Sequence, residues 1–358
     1  MKRISYTSYK RGTTFLLTID QAGEFLFFPG SKNKNSGKNC KKMNSALHRE
    51  GKKDMKKKPI FVEIEINAPI DEAWTYTQNP KLHEQWDLRF TSITYMEKNS
   101  PDEPQRFTYE TKVMPGLKVS GWGESKGEHH KEDGSKTSSL HFGTPQKISP
   151  IAEGKGYWQY IPHDKGLTFL TQYDYDVRYG KLGKLFDRVF RPIMGWATAL
   201  SFDVLKRWLE KGENPFSQYR RFFLTFLISV FFCFVWLYHG LVPKIIIQHP
   251  TEVMMMEELL GGENSQVSQI VRGVGIAEVI FALFWLLPRG KRFLFGSQIL
   301  LFPLLTLGAI LADKTIATAP FNPLTFNLAV WVLSIIGFVL CKDMPSAKSC
   351  KRKRGGTS

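Results

Sequence analysis

Four side chains able to carry charge fall within or beside long apolar runs in the second half of the chain: His239, Arg272, Glu278 and Asp313. Glu278 lies about eight residues inside its run, near mid-membrane depth if that run crosses a bilayer. A carboxyl group there is costly. It suits either proton handling or a hydrogen bond to the polar head of a greasy molecule. The structural alternative is a neutral carboxylic acid bonded to Thr306 or Ser334 on neighbouring helices. His239, Arg272 and Asp313 fall near the outer ends of their runs, and an Arg272–Asp313 pair at the outer interface is the simplest arrangement. In the first half, Phe107, Tyr109, Trp122, Tyr160, Phe169, Tyr173 and Tyr175 recur in alternating segments and are expected on one inward sheet face. An apolar wall with a few polar tips suits a lipophilic ligand with a polar head, and equally a core filled by its own rings.

Other familiar chemistries find little here. His83, His129, His130, His141 and His163 have no nucleophile or ligand motif around them. Gly121-Trp-Gly123-Glu-Ser-Lys-Gly127 departs from the dinucleotide fingerprint, because its third glycine is displaced and no helix pattern follows. Cys40, Cys233, Cys341 and Cys350 form no CxxC pair and no zinc spacing. Cys350, in CKRKR, reads as an inert thiol or an acylation site. No metal site and no cofactor motif for haem, iron–sulfur or flavin is evident; a quinone is the one cofactor this reading admits.

The element that organises these residues is 222–242, FFLTFLISVFFCFVWLYHGLV, without a formally charged side chain. At about 1.5 Å per residue it covers the roughly 30 Å of bilayer hydrocarbon. Further spans are expected at about 270–287, 293–312 and 324–341, making residues 212–341 a four-helix membrane domain followed by a basic tail, 342–358. Pro303 predicts a bend in the third span, while Gly273 and Gly275 permit close helix contact in the second. Lys206, Arg207, Lys211, Arg220 and Arg221, then Arg289, Lys291 and Arg292, then the six basic residues of the tail lie on one side, against Lys244 and Lys314 on the other. That bias predicts a multi-pass inner-membrane protein with both termini cytoplasmic. The net charge of +16 thus belongs beside a membrane rather than on nucleic acid.

Residues 59–211 read as a separate domain. Val62, Ile64 and Ile66 alternate with Glu63 and Glu65 in a first strand, with Asp71 expected to cap a short helix after Pro69. Alternating segments follow at 90–96, 107–113, 117–123, 138–142, 157–161 and 167–177. Residues 181–210 then form a long helix whose apolar stripe is Leu182, Leu185, Phe186, Val189, Ile193, Ala197, Leu200, Val204 and Trp208, with Pro192 expected to kink or split it. The class is α+β, an antiparallel sheet around one long C-terminal helix. Residues 1–58 read as a basic arm, disordered from Ser31. Arg49–Asp54 ahead of Met55 resembles a translated ribosome-binding site, which makes Met55 a candidate start.

The order strand, helix, antiparallel strands and long helix, opening with VEIEINAPIDEAWTYTQNPKLHEQWD, resembles the START-like (SRPBCC) superfamily over roughly 59–210. The resemblance implies a helix-grip fold with a cavity for a lipid, sterol, polyketide or quinone. WLYHGLVPKI (Trp236–Ile245), an acidic loop, and VRGVGIAEVIFAL (Val271–Leu283), with Gly240, Lys244, Arg272, Gly275 and Glu278 as markers, resemble the DoxX-like family over roughly 220–341. That family includes relatives associated with quinone-linked oxidoreductases. Three functions follow from the fusion: a membrane-anchored binder of a lipid or isoprenoid quinone; a non-catalytic or proton-handling subunit beside an oxidoreductase partner; or an anchor that assembles with protein, a second copy included, without a ligand.

Overall fold

The computed structural model describes residues 6–10, 13–19, 25–29, 58–100, 103–261, 264–312, 314–318, 320 and 322–354. Residues 1–58 and 59–358 are two compact units. In the first, β1 (Tyr6–Lys10), β2 (Thr13–Ile19) and β3 (Phe25–Pro29) form an antiparallel meander, with Tyr6 opposite Leu17 and Leu17 opposite Phe27. These three strands lie ahead of the run from Ser31 that the sequence reads as disordered, and their aromatic and β-branched content favours pleated structure. The polar run from Ser31 and the candidate start at Met55 lie outside the described residues.

The second unit begins with β4 (Ile60–Ile66), α1 (Ile70–Gln78) and α2 (Pro80–Trp86). Asn79 rather than Asp71 supplies a side-chain cap, accepting from the Lys81 and Leu82 amides at the start of α2; Asp71 instead pairs with Lys136 at 2.5 Å. There follow β5 (Ser92–Tyr95), β6 (Arg106–Met114), β7 (Leu117–His130), β8 (Lys136–Gly143), β9 (Ile151–His163) and β10 (Gly166–Val177). They pair antiparallel in the order β4-β10-β9-β8-β7-β6-β5. The sheet holds α3 (Gly180–Lys211), one helix with Pro192 inside it rather than the two that a proline break would give. Sheet and helix together are a helix-grip fold, α+β as the pattern predicts.

Rings fill the space between sheet and helix. Phe169 stacks on Phe202 at 4.4 Å between centroids, and Trp86, Tyr160 and Leu167 are fully buried. Cross-strand glycines make room: a Cβ at Gly123 would lie 2.2 Å from the Phe107 ring, one at Gly121 2.4 Å from Tyr109, and one at Gly154 2.4 Å from Phe142. Three polar contacts fix the rotation of α3. Tyr173 Oη shares a hydrogen bond with Thr198 Oγ1 at 2.9 Å, Tyr175 Oη donates to Asp187 at 2.8 Å, and Arg191 Nη1 donates to Asp174 of β10 at 2.7 Å. Buried hydroxyls need such partners, so α3 turns Asp187 and Thr198 inward. The apolar stripe read from the sequence is consequently divided. Ala197, Leu200 and Val204 are buried, while Leu182, Leu185, Phe186, Val189 and Ile193 are exposed.

The membrane half starts three residues after the Gly212 cap. α4 (Pro215–His239) continues through a π-helical segment, Gly240–Ile246, and is followed by α5 (Pro250–Leu260), α6 (Asn264–Phe284), α7 (Lys291–Ala312, containing Pro303) and α8 (Pro323–Leu340). Among the described residues, four helices are long and apolar enough to cross a membrane: Pro215–Ile246, Ser265–Phe284, Lys291–Ala312 and Pro323–Leu340. Phe232, Trp236, Trp285, Phe295 and Phe302 form their common core. The tail then returns to the sheet domain. Glu63 and Lys351 exchange backbone hydrogen bonds at 2.9 Å, their side chains pair at 2.8 Å, and the Ser346 amide donates to Asp203 at 2.8 Å. An otherwise open edge at β4 is thereby covered. The Cys350 thiol donates to Ala199 O at 3.2 Å, and burial pushes it up to about 12, which fits the inert thiol rather than an acylation site.

Candidate functional site

Two buried polar clusters stand out, one in each half. The first is built where α2 ends. Trp86 is fixed by its indole N–H, which donates to Tyr76 O at 3.0 Å, and the chain then turns through Asp87 and Arg89 into β5. Asp87 is buried. It accepts from Arg89 Nε at 2.9 Å and Nη2 at 2.6 Å, and its second oxygen lies 3.1 Å from His83 Nε2. Burial alone would raise the Asp87 carboxyl; the Arg89 charge and the hydrogen bonds from His83 and Arg89 outweigh it and hold the group far below the usual carboxylate range. Arg89 is correspondingly held charged by Asp87 against its own burial. Its guanidinium lies 5.6 Å from the Phe90 ring and 5.5 Å from the Tyr173 ring, and the Tyr173 hydroxyl is a second side-chain partner beside Asp87. A forked cation set among rings can donate to an oxygen-bearing head group.

The first turn of α4 reaches this cluster. Tyr219 Oη donates to Trp86 O, and lies 3.3 Å from Ser201 Oγ, which accepts from the Leu88 amide at 2.9 Å. Gln218, fully buried, donates to Val204 O at 3.1 Å. The membrane helix and the Trp86–Arg89 segment are thus directly joined.

Of the ring residues expected to face a ligand, Tyr160, Phe169, Tyr173 and Tyr175 are buried in the core, and Tyr160 Oη bonds Thr77 Oγ1 at 2.6 Å. Phe107 and Tyr109 share that inward face, and burial pushes the Tyr109 phenol up to about 12. Trp122 is a correction. It pairs with Thr108, one position out of phase with Phe107 opposite Gly123, so it turns to the outer face and packs on His141 at 5.0 Å. An open groove of about 300 Å³ borders Phe107 and Trp122 near the sheet edge, lined also by Met96, Arg106 and Glu124. Asp87, Arg89 and His83 went unrecognised as a unit in the sequence. The available signal was an acid and a base two residues apart at the end of an aromatic-rich helix.

The second cluster lies between the membrane helices. A Cβ at Gly240 would stand 2.6 Å from Gly275 O, and one at Gly275 2.7 Å from Gly240 O, so the two backbones touch. That contact brings Lys244 within 3.2 Å of Glu278, with Glu252 at 3.5 Å. Lys244 is therefore in a helix, not in a free outer loop. Glu278 pairs with it rather than with Thr306, which bonds Phe302 O, or Ser334, which bonds Val330 O. His239 stacks near Phe326 at 5.5 Å, and its carbonyl is 3.5 Å from Lys244 Nζ. Arg272 is exposed on α6, and its expected partner Asp313 lies outside the described residues. Gly275→Ala is expected to push the helices apart and lower stability in detergent by about 1–3 kcal/mol. Gly273, with nothing within 4 Å of its Cβ position, should tolerate the same change; equal melting temperatures for the two variants would refute the contact. Among the described residues, no cluster of three His, Cys, Asp or Glu is placed to hold a metal ion.

Comparison with known proteins bears on both halves. The DoxX-like family model matches residues 233–335. An uncharacterized membrane protein of Bacillus subtilis, YndG, is 39% identical over 307 residues, covering 84% of this chain and 99% of that protein. The chain belongs to the same family as that membrane protein. Solved structures with some likeness to it include TTHA0849 from Thermus thermophilus, 15% identical over 44% of this chain and 99% of that one, with a TM-score of 0.34. A STAR-related lipid transfer protein from Xanthomonas axonopodis is 13% identical over 58% of this chain and 99% of that one, with a TM-score of 0.33. The chain thus joins a helix-grip sheet domain to a set of apolar helices of which residues 233–335 match the DoxX-like family.

Proposed function

We propose that the protein binds a lipophilic molecule with a hydrogen-bond-accepting head, a membrane lipid or an isoprenoid quinone, in its helix-grip domain and exchanges it with the adjoining bilayer. The observation that carries this reading is Arg89, half-buried among Phe90 and Tyr173 with its guanidinium oriented by Asp87 at the edge of the ring-lined interior. A buried ion pair is a poor way to gain stability alone, whereas an oriented guanidinium suits an oxygen-rich head. The inner rings pack the space between sheet and helix, so binding requires them to move, and the Tyr219 contact gives the first span a direct hold on the site. Basic residues around α3, the α6–α7 link and the tail, with the tail bonded to β4, support a cytoplasmic position for the sheet domain and both termini of an inner-membrane protein.

The test is native mass spectrometry with organic extraction on the full chain purified in mild detergent, beside an Arg89→Lys variant. A lysine keeps the charge but loses the fork. The expected result is a stoichiometric lipid or quinone on the parent protein and its loss, or a weakened hold, in the variant with the fold retained. A parent protein that carries nothing and takes up nothing from an added lipid and quinone panel would end the proposal.

A further inference from the structure

The exposed part of α3 has the form of a membrane-surface helix. Leu182, Leu185, Phe186, Val189 and Ile193 are 76, 59, 54, 63 and 51% exposed. At 3.6 residues per turn they fall within an arc of about 100°, a continuous apolar face of roughly 17 Å. Soluble domains seldom leave such a stripe uncovered. One side of the arc leads to the residues that grip the sheet, Asp187, Phe190 and Met194; the other leads to exposed Lys181, Lys184 and Arg188. Arg352 of the tail extends this basic side, donating to Pro192 O at 3.0 Å.

The position of the stripe follows from how α3 and α4 meet. The two helices form a hairpin about Gly212–Asn214, in which Val204 O meets Gln218, Ser201 meets Tyr219, and Trp196 packs on Phe222 at 6.0 Å. Phe222 opens the uncharged stretch of the first span. The middle of α3 is therefore level with the entry of that span, and the exposed stripe begins one turn beyond Trp196, on the same face.

We infer that the first half of α3, residues 181–193, lies in the bilayer interface, with its apolar stripe among acyl chains and Lys181, Lys184 and Arg188 against anionic phospholipid head groups. An apolar stripe beside a basic row is the composition such in-plane helices share. A second copy of the chain fits less well, since a two-fold contact through this stripe would bring one basic row near the other. The inference stands apart from the ligand proposal: a bilayer contact here holds the domain down whether or not its interior binds anything.

The experiment uses the full chain in single-copy lipid nanodiscs containing phosphatidylglycerol, with Cys40, Cys233, Cys341 and Cys350 replaced by serine. Single cysteines at F186C, V189C and, as a control in the β7–β8 turn, E132C carry an environment-sensitive fluorophore, and brominated phospholipids serve as quencher. The expected result is loss of most emission at 186 and 189 with none at 132, and its reversal by Leu182→Glu together with Leu185→Glu. Labels at 186 and 189 left unquenched would overturn the inference. So would shielding seen only in discs holding two copies, which would make the stripe a self-association surface. If the serine background fails to fold, the unmodified protein with a diazirine-bearing phospholipid gives the same decision: acyl adducts on peptides from 182–193 support the bilayer contact, and their absence removes it.

Discussion

Asp87→Asn is expected to be among the most damaging single changes in the sheet domain. It leaves the Arg89 guanidinium, 12% exposed, without its counter-charge, and removing one partner of a buried pair costs about 3–5 kcal/mol. Asp87→Leu with Arg89→Leu should be markedly milder than either change alone, because no orphaned charge remains. Thermal unfolding of the full chain in detergent, followed by tryptophan emission, measures this directly. Parent-like melting of Asp87→Asn would show that the pair is not closed in solution. The pH dependence has a definite sign. The folded-state pKa of Asp87 is depressed, so its contribution is fully present above the unfolded value of about 3.9 and is lost progressively as pH falls from there through the folded value. From pH 5 to 8 the pair should contribute a constant amount; below about pH 4 the parent should lose stability more steeply than the Asp87→Leu, Arg89→Leu variant.

How much of this was legible in the sequence varies by physical cause. Strand and helix existence came from period-two and period-3.6 patterns, and the four spans came from length without charge. Facing was harder. Trp122 alternates like its neighbours, but only the pairing of Thr108 opposite Trp122 decides which side of the sheet it takes. The stripe from Leu182 to Ile193 is legible as apolar in the sequence, yet it does not face the sheet. Hydrophobicity identifies a face that avoids water without saying what covers it, and here the tyrosine hydroxyls of β10 claimed Asp187 and Thr198 for the sheet. The two polar clusters were half visible. Glu278 was conspicuous because its surroundings are apolar, whereas Lys244 looked like a loop residue until the π-helical extension carried it beside α6. Asp87 and Arg89 sit in an ordinary polar stretch, so nothing local announced that both would be buried.

Lys244→Met is expected to be the more damaging half of the intramembrane pair. Lys244 faces two carboxylates, Glu278 at 3.2 Å and Glu252 at 3.5 Å, with 11% of its side chain exposed. Removing it leaves both acids facing each other across the site. Glu278→Gln leaves the lysine with Glu252 and should cost less, and Glu252→Gln, at the more exposed acid, least of all. A cost on the order of 2–4 kcal/mol for Lys244→Met fits a charge stranded in or near hydrocarbon, and adding Glu278→Gln to it should recover part of the loss. Melting temperatures of the three single variants and the double variant in one detergent give the order. That order assigns the cluster to holding the Gly240–Gly275 crossing together. If Glu278→Gln instead melts like the parent while uptake of a quinone or of protons by the reconstituted protein is lost, the carboxylate handles protons and the lysine serves to position it.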